Sequence, residues 1–403
     1  MRREQIVAGG VALVATLALA VPATAQQVDY DNGSFELIQK ETTLAQEWGT
    51  GGIDDYNAPK VTYTGEPIVL RASLHTPPVA WTSKVWQWQF DALERMSGGK
   101  IKVEHRWSAT IHPVNKGFEA IRDNLTDTTG CWSFYKANSF PKMQGLFLPG
   151  ISPNAAVHSL MAETLYDKHF RDEYERQGVY LGRLRATTPY ILWTKKPVRN
   201  LADLKGLKIR SGGGTEAKVL AALGATPTSM ASTEIYTAFQ RGIVDGVSIS
   251  DGAAEVFKVH EIATHRTYFT LTRIVLEQCV RPDWVNALPA DLRAVYEHWG
   301  RGAAQYDTQM SYVYYGAKAR EDIFKEKFKM TFIDISPEEE AKWQSMANPV
   351  IDEFIAELEG KGLPGKQLVA DMRATVAKLK GMSPNQIFAQ VVKSPIKGVI
   401  PKK

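Results

Sequence analysis

Residues 201–250, LADLKGLKIRSGGGTEAKVLAALGATPTSMASTEIYTAFQRGIVDGVSIS, decide the fold. Leu207–Arg210 reads as a short strand entered through the Lys205-Gly206 turn. Gly212-Gly213-Gly214 cannot be strand interior; three glycines let the backbone come close to something. Thr215–Leu223 has helical spacing and stops at Gly224. Ala225–Met230 reads as a second strand, and Ser232 as the N-cap of a helix over Thr233–Arg241. Gly242 ends that helix, and Val244-Asp245-Gly246 begins the next strand. This β-turn-α-β-α-β order is the unit of an open parallel sheet, whose ligands bind at the carboxyl ends of its strands. Arg210 stands at such an end, before a glycine turn and a helix start. It is placed to hold a small anion, most simply a carboxylate, beside backbone N–H groups.

The pattern resembles the solute-binding proteins of TRAP transporters, the DctP-like family. The resemblance rests on Asp203–Arg210 (DLKGLKIR), Leu223–Pro227 and Ser232–Gly246. It extends to Pro67–Leu74, Met96–Val103, Phe140-Pro141 with Leu148-Pro149, and Trp284-Val285 with Leu288-Pro289. It implies an α/β, two-domain periplasmic binding protein of the Venus-flytrap type, with a long helix bracing both domains. Ala290 to about Phe328 has helical spacing without a strong breaker, and Gly300 and Gly302 are the expected place for a bend.

The expected organisation is a signal peptide over 1–25 and an N-terminal extension over 26–66 that is partly irregular, either partly ordered against the surface or a mobile arm. Domain I takes 67–186 and 275–314, domain II takes 187–274 and 315–375, and a tail covers 376–403. Arg2 and Arg3, the apolar run from Ile6 and Ala23-Thr24-Ala25 mark an export signal cleaved near Ala25, hence a periplasmic protein. Twin-arginine export remains an alternative to the general route. The formal charge of +4 in 403 residues is a mild excess. It lacks the clustered basic face that nucleic acid needs and suits an anionic solute. No further apolar run would insert stably in a membrane. Cys131 and Cys279 read as two buried small hydrophobes, with a disulfide as the alternative.

The resemblance implies that Arg210 binds a substrate carboxylate. Counting back to the family's second arginine reaches Tyr190, so one arginine is expected where some relatives have two. Counting forward to an asparagine of the sialic-acid binders reaches Ile249, with Ser248, Ser250 and Asp251 as polar alternatives. Ser232 is a further candidate. Domain I should contribute Leu74-His75-Thr76, the turn Ser108–His112, and Trp132-Ser133. Trp132 stands where sialic-acid binders carry an acid; Trp81 and Trp107 lie near the same edges. An apolar slab in place of a hydroxyl-binding group points to a monocarboxylate with an apolar or aromatic body. His75 or His112 would serve any second anionic group.

Other motifs fail on spacing. His260-Glu261-Ile262-Ala263-Thr264-His265 is one residue too long for a zinc-protease helix. Ser211–Gly214 lacks the ending of a phosphate loop, and no nucleophile elbow occurs. The expected function is capture of a small organic acid for a TRAP membrane permease, without catalysis, cofactor or metal, by a monomer. A periplasmic enzyme on a similar fold and a ligand sensor for a membrane receptor are the alternatives.

Overall fold

The computed structural model describes residues 28–53 and 58–401. The signal peptide and its cleavage point lie outside them. Eleven strands run in chain order as β1 Ile68–Ser73, β2 Ile101–Arg106, β3 Thr128–Gly130, β4 Tyr180–Ala186, β5 Tyr190–Thr194, β6 Lys208–Ser211, β7 Thr226–Ser229, β8 Gly246–Ile249, β9 His265–Thr272, β10 Val275–Val280 and β11 Thr331–Asp334. They form two sheets, ordered β2-β1-β3-β10-β4 and β11-β9-β5-β8-β6-β7. In the first sheet β1 is parallel to β2 and β3, while β10 is antiparallel to β3 and β4. In the second, β6 is parallel to β7 and β8, and β5 is antiparallel to β8 and β9. The parallel part is the unit read from residues 201–250. β5, β8 and β10 are buried along their whole length, although β10 carries Glu277 and Gln278.

The chain passes between the sheets at 187–189, at 273–274 and along the helical run after Ala290. These crossings meet. The Thr187 N–H donates to the Ile274 carbonyl (2.9 Å), and the Ala186 N–H donates to Thr308 Oγ1 (3.1 Å). The run is α-helical over Ala290–Asp307, takes a π register over Thr308–Tyr314, and continues to Lys327. The irregularity therefore falls at Thr308, not at the glycines. Gly300 and Gly302 have a different use: a Cβ would meet the Gly182 carbonyl oxygen at 2.8 Å and the Trp48 ring at 3.1 Å. They let a strand and an aromatic side chain lie directly on the helix.

The N-terminal extension is more ordered than its composition implies. Helices Phe35–Glu41 and Thr43–Thr50 bury Ile38, Ala45 and Trp48. Burial of one aliphatic side chain such as Ile38 contributes about 1.5–3 kcal/mol. The Trp48 ring lies 5.2 Å from Tyr306 of the long helix. Before these helices, Asp31 is buried against Arg273 at the sheet crossing (2.8 Å). Nor is 376–403 simply a tail. Pro384–Lys393 is a helix with a Ser383 capping box, and its buried Phe388 meets Trp48 at 6.2 Å.

At the cysteines the structure decides between the two readings left open. Cys131 and Cys279 form a disulfide, because β3 and β10 are neighbours and hold the two Cα atoms 5.7 Å apart. Strand β3 stops at Gly130, and the chain turns into a short 3₁₀ segment, Ser133–Lys136. The Ser133 N–H goes to the Glu277 carboxylate instead of to a neighbouring strand (3.3 Å).

Candidate functional site

The ends of β1, β3, β4, β6 and β8 and the π segment of the long helix converge on one cavity of about 650 Å3, mouth included. Aromatic side chains form a large part of its wall. Trp132 stacks on Phe134 (6.0 Å, 12° between planes), His75 meets Trp132 edge-on (4.8 Å), and Phe257 lies parallel to His75 (6.2 Å). Tyr135, Tyr190 and Tyr312 complete the ring.

Arg210 sits at the end of β6 and is buried. Its Nη2 donates to the Met230 carbonyl (2.9 Å), its Nη1 lies 3.5 Å from the Ser248 carbonyl, and its Nε has no hydrogen-bond partner among the described residues. Seven arginines are buried among the described residues: 183, 185, 210, 266, 273, 301 and 320. Every one except Arg210 has a carboxylate at ion-pair distance. Glu216 is the nearest acid in effect. Burial pushes its carboxyl up against the opposing pull of Arg210, and its Oε2 accepts the Gly212 N–H (2.8 Å).

That bond changes the reading of the glycine turn. The Gly212 N–H is taken by Glu216 and the Thr215 N–H by Gln144 (3.2 Å), so these amides do not face the cavity as anion donors. The glycines serve close contact. A Cβ at Gly212 would meet the Phe134 ring at 2.8 Å, and one at Gly214, where φ is +56°, would overlap the Gln144 side chain.

Of the residues expected from sequence, His75, Trp132, Tyr190, Arg210 and Ser232 meet at the cavity. Ser232 does so without capping a helix. Its hydroxyl is buried with no partner among the described residues, and its N–H donates to the Tyr135 hydroxyl (2.9 Å). Ser248 and Asp251 are not brought there. Ile249 lines the wall, and strand alternation turns its neighbours Ser248 and Ser250 elsewhere. Asp251 is held by Arg266 (2.7 Å) and Arg320 (3.2 Å). His112 is bound to Ser73 and Thr129, Trp107 stacks on His105, and Trp81 donates to Glu255 and stacks on Tyr315. His260 and His265 lie on different elements, a 3₁₀ turn and β9.

The structure also supplies residues that sequence reading missed. Arg185, at the end of β4, is a second guanidinium in the wall, so the expectation of a single arginine is corrected. It shares Asp307 with Arg183, at 2.6 and 2.8 Å. Burial would raise the Asp307 carboxyl, but the two guanidiniums hold it below its ordinary value. Tyr312 enters from the π segment, Phe257 from the helix after β8, and Phe134 and Tyr135 from the 3₁₀ turn. The run SFY at 133–135 beside Trp132 was the available signal for the last two. His75 is neutral in this setting: burial, with Arg185 and His112 nearby, lowers its pKa to about 3.

This architecture, two α/β lobes around one cleft, is that of a binding protein that carries a solute between two lobes. The comparisons place it further. The sequence pattern of bacterial extracellular solute-binding proteins, family 7 (DctP), matches residues 81–358, and the chain belongs to that family of TRAP-type periplasmic binding proteins. A solute-binding protein of Sulfitobacter sp. (strain NAS-14.1) is 32% identical over 178 residues, 43% of this chain and 51% of the relative. The chain thus spans about half the length of the curated relatives it matches. A TRAP solute-binding protein of Rhodoferax ferrireducens, solved with copurified benzoate, superposes with a TM-score of 0.72 at 24% identity, over 77% of this chain and 98% of that one. A Bordetella bronchiseptica protein with bound (R)- and (S)-mandelate gives 0.70 at 24%, over 78% and 100%. Members of the family are transport proteins that bind substrates, not enzymes. No helix among the described residues is long and apolar enough to cross a membrane.

Proposed function

We propose that this protein captures a small monocarboxylate with an aromatic or apolar body and delivers it from the periplasm to a TRAP membrane permease. The observation that carries the reading is Arg210, the one buried arginine among the described residues without a carboxylate at ion-pair distance. A buried charge left uncompensated costs several kcal/mol. A ligand carboxylate offsets that cost with charge-assisted hydrogen bonds. The rest of the anion then lies among Trp132, Phe134, Tyr190 and Phe257, where an aromatic ring gains contact without stranding a polar group.

Arg185 does not turn the cleft into a dicarboxylate site on this reading. A second carboxylate at Arg185 would sit beside Asp307, whose charge Arg183 and Arg185 already share. The benzoate and mandelates of the Rhodoferax and Bordetella proteins belong to the ligand class favoured here. The lobes are taken to divide at 186/187, 274/275 and 314/315 and to close by hinge motion where Thr187, Ile274 and Thr308 meet. Closure would present the surface that the permease reads.

The test is a thermal-shift screen of carboxylic acids, followed by calorimetry on the hits and mass spectrometry of whatever co-purifies. Aryl monocarboxylates are expected to raise the melting temperature most. Tighter binding of succinate or malate than of any aryl monocarboxylate would overturn the reading.

A further inference from the structure

We propose that Glu277 is a positioning residue that sets the aromatic wall of the cleft and, through it, the preference for aromatic over aliphatic acids; this rests on the monocarboxylate reading above. Glu277 lies on β10, next to the cavity-lining Leu276, and is 2% exposed. Its carboxylate accepts the Ser133 N–H (3.3 Å), the Ser133 hydroxyl and the Tyr174 hydroxyl (2.8 Å). Its backbone carbonyl accepts the Cys131 N–H (3.1 Å). No cation among the described residues pairs with it, and burial pushes its carboxyl up to about 7.

A buried carboxyl without a counter-cation is costly to keep, and packing alone does not require one. What it holds is the place where the chain leaves the first sheet. The Cys131–Cys279 disulfide fixes the strand just before that exit. Ser133 turns inward onto Glu277, while its neighbours Trp132 and Phe134, stacked on each other, and then Tyr135 all line the cavity. Tyr135 in turn accepts the Ser232 N–H of the second lobe. One carboxylate thereby fixes the rotation of the whole aromatic segment about Ser133. The contacts that depend on it are those to the body of a ligand; Arg210 is held independently, by carbonyls of the second sheet's lobe.

The experiment compares Glu277→Ala, Glu277→Gln and Tyr174→Phe in the full mature chain, by calorimetry with benzoate and with isobutyrate and by thermal unfolding. Glu277→Ala is expected to weaken benzoate about tenfold or more and isobutyrate less than about threefold. Glu277→Gln keeps an oxygen acceptor for Ser133 and Tyr174 and should hold benzoate within about threefold of the wild type. Tyr174→Phe, which removes one donor, should fall between them; with Glu277→Gln it decides the matter if the alanine variant does not fold. Equal losses for both acids, or a lower melting temperature with an unchanged benzoate-to-isobutyrate ratio, would overturn the proposal and leave Glu277 a purely structural residue. If the wild type binds neither acid, the monocarboxylate reading fails first and the proposal falls with it.

Discussion

The side of the molecule proposed above as the hinge and the cleft both bury guanidinium groups, but Arg210 in the cleft is treated in the opposite way. On the hinge side Arg273 shares its charge with Asp31, and Arg266 and Arg320 share Asp251. Asn32 and the Asp31 and Gly33 carbonyls take up the remaining donors of Arg266 and Arg320. In the cleft Arg210 has two carbonyls and no carboxylate at ion-pair distance among the described residues. A paired buried arginine is part of the framework, whereas an unpaired one is poised for an anion from outside. The contrast explains why Asp251, so near the cleft in sequence, belongs to the framework and not to the site.

The largest expected effect comes from breaking the framework. Asp251→Ala leaves two buried guanidiniums without their carboxylate and should cost about 3–5 kcal/mol of stability. Urea unfolding of the ligand-free protein measures this, and a loss under 1 kcal/mol would erase the distinction between the two regions. Arg210→Met is the reciprocal test. It should not lower stability in the absence of ligand and should raise it if the buried charge is as uncompensated as proposed, because no ion pair is broken. It should weaken a bound monocarboxylate by about 2–4 kcal/mol, tens- to several-hundred-fold. Binding that survives the substitution would remove Arg210 from the site.

A smaller effect belongs to the aromatic wall. Trp132→Leu keeps an apolar surface but removes the stacking with Phe134 and the edge contact with His75. The expected loss for an aryl acid is about 0.5–1.5 kcal/mol beyond any change for an aliphatic one. Calorimetry with both acids gives the difference, and the ligand-induced change in tryptophan fluorescence should shrink along with it.

The parallel unit around Arg210 was legible because glycines, caps and short strands follow one another within fifty residues and leave one topology. His75 and Trp132 were legible as residues at strand ends, and Tyr190 only through the family resemblance. Arg185, Asp307 and Tyr312 were not, since they reach the cleft only when the first sheet and the long helix come together. Asp307 in particular looks like any polar position of a helix until Arg183 and Arg185 are seen beside it. The helices of the extension were not legible because a short segment of low hydrophobicity gives no strong periodicity. Its order comes from docking Trp48 and Asp31 onto partners more than two hundred residues away. The glycine turn shows a subtler limit: close approach was readable, but not what approaches.

The smallest effect expected is an absence of pH dependence, and it separates His75 from the arginines. Both cleft guanidiniums stay charged at any ordinary pH. His75 would strengthen anion binding only when protonated, and burial, with Arg185 and His112 nearby, lowers its pKa to about 3. The depressed value means that the folded protein keeps the ring neutral while a free imidazole would charge below about 6.5. His75 should therefore add no pH dependence to benzoate affinity from pH 6 to pH 8, where benzoate is fully ionised; any change there reports the buried carboxyls, among them Glu277, which burial pushes up to about 7. Glu216 is the other titratable group near Arg210, and its carboxyl is raised by burial. Protonating it on acidification would remove a competing negative charge and increase affinity, so the two groups must be told apart. Calorimetry across this range on the wild type and on His75→Asn does so. A change toward pH 6 that persists in the variant reports a carboxyl, Glu216 or Glu277, and leaves His75 neutral. A rise that disappears in the variant would make His75 a third cation of the cleft, and the contrast between a single free charge and a paired framework would then have to be redrawn.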